Sequence, residues 1–157
     1  MNIFYLSSDP IEAATMQCDK HVVKMILETA QLLSTAHHIL AGDGPYKVTH
    51  KNHPSAVWVR ESRQNYDWTY KHFKALCAEY TDRYGKTHLT ETKCSEWLSR
   101  APEGIEDNGF TDPPECMPDE CKSLKSVVLS YLEYYNHKAD EWAAKGSPMK
   151  WRGVCYE

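Results

Sequence analysis

The chain has 157 residues, 41% of them hydrophobic and 25% charged, with a formal net charge of −4. That length suits one domain able to bury its own core, and the composition excludes collagen-like, mucin-like and largely disordered chains. No stretch approaches the roughly 18 consecutive apolar residues of a membrane span, and the opening MNIFYLSSDP lacks the basic and long apolar regions of an export signal, so a cytoplasmic protein with no membrane partner is expected.

In chain order, residues 2–6 (N-I-F-Y-L) read as a short extended opening. Ser8-Asp9-Pro10 then supplies a helix cap with proline at the first helical position. Over residues 19–40, Val22, Val23, Ile26, Leu27, Ala30, Leu33, His37 and Leu40 recur at steps of three and four, and Gly42 stops the run. A second long helix is predicted from Pro54 to residue 84, with Tyr66, Tyr70, Phe73, Cys77, Tyr80 and Tyr84 on its buried stripe and Gly85 as its stop. Residues 90–98 form a shorter helix. Residues 101–119, rich in Pro, Gly and acids, read as one long acidic loop, and residues 119–144 as a third long helix with Leu124, Val128, Tyr131, Tyr135, Ala139 and Trp142 on one face. The expected fold is mainly α: a single domain over residues 1–157, a helical bundle of three long helices with a short extended N-terminal segment.

Charge is unevenly spread. Between Lys47 and Lys86 eight Lys and Arg stand against four acids, whereas between Glu91 and Cys121 nine acids stand against two bases. A phosphate-bearing partner is compatible with the first segment, and a basic protein partner with the second. Six cysteines without an export signal are expected as reduced thiols. Cys116 and Cys121 are the one close pair, with Cys94 and His88 as conceivable further zinc ligands, but zinc sites ordinarily show two short paired spacings. No metal and no cofactor are therefore expected. Phosphate-binding glycine loops, Gly-x-Ser-x-Gly elbows and His-Glu-x-x-His pairs are absent from the sequence.

Three constellations carry chemistry. On the first long helix His21, Lys24, Glu28, Gln31, Thr35 and His38 share one face, either a solvated stripe or the floor of a cleft in which Glu28 acts as a base or stabilises a developing cation. The string His50-Lys51-Asn52-His53-Pro54 leads into the next helix, and Arg60, Arg63, Lys71 and Lys74 continue the basic character along it, a pattern suited to anions. Trp151-Arg152 in the tail suits stacking on a base or contact with a phosphate.

These residues, in this order, resemble the phage pyrimidine-dimer DNA glycosylase/AP lyase (endonuclease V-like) family. There an extended N-terminus leads into a helix carrying Asp-x-His and, seven residues after the His, a catalytic Glu. Asp19-Lys20-His21 and Glu28 match that spacing, His50-Lys51-Asn52-His53-Pro54 is similar to a string before the next helix, and Lys150-Trp151-Arg152-Gly153 is comparable to the family's tail. The chain also resembles short phage proteins of unassigned function that share the strings found here at residues 18–25 and 117–120. The resemblance implies an all-α fold and a free amine that attacks C1′ of a damaged nucleotide to form an imine, assisted by Glu28. Met1 supplies that amine, with Lys20 or Lys24 as alternatives, and His21 and Lys24 act as its neighbours. Leu27 and Gln31 occupy positions where the family carries basic residues. The nucleic-acid or phosphate contacts expected are Lys20, Gln31, His50, Lys51, Asn52, His53, Arg60, Arg63, Trp151 and Arg152. The substrate is then DNA, or alternatively a free nucleotide-type ligand, which the negative net charge suits better. A third reading is a non-enzymatic phage protein for host takeover that uses the acidic loop, with Glu28 only structural.

Overall fold

Asp9 Oδ1 accepts hydrogen bonds from the N–H groups of Ile11 and Glu12 and so opens α1 (Pro10–Thr15), with Pro10 where its missing N–H costs nothing. The computed structural model describes residues 1–155. Helix α2 (Asp19–Ala41) follows and ends at Gly42, whose φ of 82° is the left-handed conformation that glycine adopts without strain. Its stripe of Val22, Ile26, Ala30 and Leu33 is fully buried, as the periodicity predicts, while Val23 and Leu27 stay half-exposed at its margin.

The expected single helix over residues 54–84 is two. Helix α3 (Pro54–Glu61) stops at Ser62, which is extended at φ −153°, ψ 154° and caps α4 (Arg63–Tyr84) by accepting from Asn65 N–H at 3.0 Å. The N–H of Arg63, which a continuous helix would bond within itself, donates instead to the carbonyl of Glu106 at 2.8 Å. A long-range partner thus breaks a helix whose apolar phase runs on regardless. The stop at Gly85 is as predicted. Helix α5 (Leu89–Leu98) and a long irregular segment over residues 101–118 also follow the prediction.

The last helix is shorter than expected. A single 3-10 turn (Asp119–Cys121) precedes α6 (Val127–Ala144), which Ser126 caps by accepting from Leu129 N–H. Leu124 therefore lies outside the helix and is fully exposed, whereas Tyr131 and Tyr135 are buried as expected. The tail forms a two-residue hairpin, β1 (Lys150–Trp151) against antiparallel β2 (Val154–Cys155). Helix α2 is the centre of the bundle, packed against α3, α4 and α5, while α1 packs on α4. No helix among the described residues is long and apolar enough to cross a membrane.

The N-terminal segment is threaded into this core, with Ile3, Phe4, Tyr5 and Leu6 each at most 3% exposed. Phe4 takes φ 54°, a conformation that side chains disfavour, and its N–H is met by Asn2 Oδ1 at 2.9 Å. Asn2 Nδ2 in turn donates to the Cys116 carbonyl at 2.9 Å. These bonds curl the first residues back over α2.

Candidate active site

That curl delivers the N-terminal amine to the polar stripe of α2. The Met1 nitrogen lies 3.5 Å from Glu28 Oε1, and Lys24 Nζ lies 3.7 Å from Glu28 Oε2. Two cations therefore flank one carboxylate that is 16% exposed. Glu28 Oε2 is nevertheless without a hydrogen-bond partner among the described residues. A buried acceptor left open in this way is suited to take a proton or hydrogen bond from something that enters the site.

The group opens onto a cavity of about 290 Å³ whose lining includes Met1, His21, Lys24, Glu28, His53 and Lys138. His21 is buried, stacks on Phe4 with ring centroids 4.3 Å apart, and places Nδ1 2.7 Å from the Tyr135 hydroxyl. Burial, then Lys138 and Lys24, push its pKa down to about 3, so the ring is neutral at ordinary pH. Burial also keeps Tyr135 protonated. Its oxygen accepts from Cys18 N–H at 2.9 Å and meets His21 Nδ1 at 2.7 Å. His53 uses Nδ1 to cap α3 by accepting from Ser55 N–H at 3.1 Å. Its pKa is lowered by burial first and next by the N-terminal amine and His50. The site is thus one carboxylate among an amine, two lysines and two imidazoles that resist protonation.

Of the residues expected from the sequence, Met1, His21, Lys24, Glu28 and His53 meet in this cavity. Lys20 lines a neighbouring one. Gln31, one turn beyond Glu28, is half-buried and outside the lining. His50, Lys51 and Asn52 are solvent-facing, with His50 at φ 47° and 2.7 Å from Thr49 Oγ1. Arg60 donates to the Lys51 carbonyl at 2.8 Å, and Arg63 is paired with Asp107 of the acidic loop at 3.0 Å. The tail also has internal partners. Trp151 packs against the core and donates to the Met16 carbonyl at 2.8 Å, and Arg152 pairs with Asp82 at 2.6 Å.

Asp19, the first residue of the Asp-x-His string, is the anchor of that tail. Its Oδ1 accepts from Arg152 N–H at 2.9 Å and Arg83 at 3.0 Å, and its Oδ2 from Gly153 N–H at 2.8 Å. His88 caps α5 and Cys94 is buried on it, while Cys116 lines the cavity at Met1 and Glu28. No three His, Cys, Asp or Glu among the described residues come together as a metal site.

Asn2, Phe4, Met25, Tyr134 and Lys138 also line the cavity and have no site role predicted from the sequence, and Cys116, a zinc-ligand candidate there, joins them. A signal for two of them exists: Tyr134, Lys138 and Trp142 stand four residues apart, hence on one face of α6. Lys138 Nζ lies 4.8 Å from the Tyr134 ring centroid and 6.0 Å from that of Phe4.

The family model for pyrimidine dimer DNA glycosylase matches residues 1–92, which include the amine, Glu28 and His53 but not the wall supplied by α6. No curated protein and no solved structure gives a significant match to the chain. With more than half of its length matched, the chain belongs to the pyrimidine dimer DNA glycosylase family.

Proposed function

We propose that the protein is a DNA glycosylase and lyase whose nucleophile is the α-amine of Met1 and whose general acid–base group is Glu28. Family membership supports glycosylase chemistry on DNA in general, and the observation that carries the finer reading is the 3.5 Å approach of Met1 N to Glu28 Oε1. A terminal amine is the least basic amine in an ordinary protein, and it attacks as the free base. It forms a bond to C1′ of a damaged nucleotide as the glycosidic bond breaks. The departing base takes up one proton and the amine nitrogen loses one. Opening of the C1′–O4′ bond, with O4′ protonated, gives the iminium. Glu28, adjacent to that cation, then accepts a proton from C2′, the C3′–O bond breaks, and the phosphate leaves with the electron pair. A damaged nucleotide reaches such a cavity by leaving the base stack. Lys24 and Lys138 favour the approach of phosphate, and the neutral His21 offers a hydrogen-bonding ring without adding charge.

Selective transamination of the N-terminal amine to a ketone tests this reading. Base release and strand cleavage should both disappear while every lysine remains unmodified. Activity that survives complete conversion would contradict it.

A further inference from the structure

A second cavity, of about 260 Å³, lies beside the first and is lined by Lys20, Trp142, Pro148, Met149 and Lys150, with Cys18 and Asp19 at the start of α2. The two share a wall. His21 lines the reacting cavity, and its ring meets the Trp142 indole edge-on at 5.3 Å between centroids. Helix α2 thus presents Lys20, His21, Lys24 and Glu28 along one side, and α6 faces it with Tyr134, Lys138 and Trp142. The chain turns beneath the indole after α6 ends, with Ser147 N–H donating to the Trp142 carbonyl at 2.9 Å, and this leaves the ring half-exposed at the cavity edge.

The chemistry of this second cavity is that of a nucleotide subsite. Lys20 Nζ stands 5.4 Å from the Trp142 ring centroid, and both Lys20 and Lys150 are exposed and carry no ion pair among the described residues. The one carboxylate in the lining, Asp19, is already held by Arg83 and the Arg152 and Gly153 N–H groups. What faces a ligand is therefore an aromatic ring with the exposed Lys20 ammonium over it, which an incoming base would displace towards its own phosphates, and Lys150 in the same lining, the pairing that binds a base by stacking and its phosphates by charge. None of the residues at 142–150 falls within the matched part of the chain.

We propose that this cavity holds the nucleotide next to the reacting one on the same DNA strand, its base stacked on Trp142 and its flanking phosphates on Lys20 and Lys150. The proposal rests on the reading of the first cavity as the place where a nucleotide reacts. His21 then stands between the reacting nucleotide and a neighbour on the same strand whose base is not joined to it.

The test is equilibrium binding of a duplex oligonucleotide carrying a non-cleavable tetrahydrofuran abasic analogue, measured over a salt series. Trp142→Ala should weaken binding about 5- to 150-fold, with Trp142→Phe close to wild type, because stacking needs an aromatic face but not an indole. Lys20→Gln and Lys150→Gln should each reduce the slope of log affinity against log salt by about 1. These two positions are exposed, so they carry the test if Trp142→Ala fails to fold. Wild-type affinity and salt slope in Trp142→Ala and both lysine variants would overturn the proposal, even if an imine at Met1 is trapped. Loss of binding in these variants supports it even where no imine forms, so failure of the subsite and failure of the amine chemistry give different results.

Discussion

The α-amino nitrogen of Met1 and Glu28 Oε1 are 3.5 Å apart, at the meeting of two segments with no local reason to approach each other. The amine is brought there by the Asn2 bonds to Cys116 and Phe4, the carboxylate by its place three turns into α2. Replacing Glu28 with Gln keeps the shape and removes the base. Turnover on a damaged duplex should fall by about 100- to 10,000-fold, with DNA affinity and thermal midpoint little changed, as single-turnover kinetics beside a binding isotherm will show. A Glu28→Gln enzyme with wild-type turnover would remove the carboxylate from the chemistry.

Asp19 is a structural residue. Its carboxylate joins the start of α2, the buried Arg83 and the tail hairpin, and Arg83 itself is only 2% exposed. Asp19→Ala leaves a buried guanidinium short of a partner and releases the hairpin. A loss of about 3 kcal/mol in denaturant unfolding is expected, together with increased proteolysis after Met149. An unchanged midpoint would show that Glu79 and the Gln17 and Thr15 carbonyls suffice for Arg83.

Ser62 interrupts what would otherwise be one helix. Its Oγ is the cap of α4 and the residue is 1% exposed, so Ser62→Ala should cost about 1 kcal/mol. The interruption itself should persist in the variant, because Arg63 N–H remains committed to Glu106. Backbone chemical shifts at residues 61–64 will report it, and helical values there would contradict this account of the break.

Buried His72 and His21 should contribute to the acid limit of stability. Burial lowers His72 to about 4 and His21 to about 3. Between the ordinary histidine pKa of about 6.5 and these values the unfolded chain takes up protons that the folded one refuses. Their contribution is therefore complete above about pH 6.5 and declines as pH falls, at up to about 1.4 kcal/mol per pH unit for each ring, His72 levelling off near its folded value first. His72→Gln should flatten the dependence of unfolding free energy on pH between about 6.5 and 4. An equally steep slope in that variant would assign the acid limit elsewhere.

Much of this was legible locally. The Asp9 cap, the Gly42 and Gly85 stops and the buried stripe of α2 are written in adjacent residues, and so is the Lys24-Glu28 pairing on one helical face. What was not legible depends on distant partners. The break at Ser62 needs the Glu106 carbonyl, and the shortened α6 leaves Leu124 in solvent despite its apolar phase. The tail's Trp151 and Arg152 have the composition of a nucleic-acid contact, yet their bonds go to Met16, Glu79 and Asp82. Lys138 lies too far from Glu28 in sequence for any spacing rule to join them; Phe4 and His21 join them in space.

Borohydride trapping identifies the attacking amine. The protein is incubated at low salt with duplex DNA containing an abasic site, the imine is reduced, and the cross-linked peptide is mapped by mass. One adduct is expected, on the α-nitrogen of Met1. An adduct confined to Lys20 or Lys24, or none at all from folded protein, would contradict it.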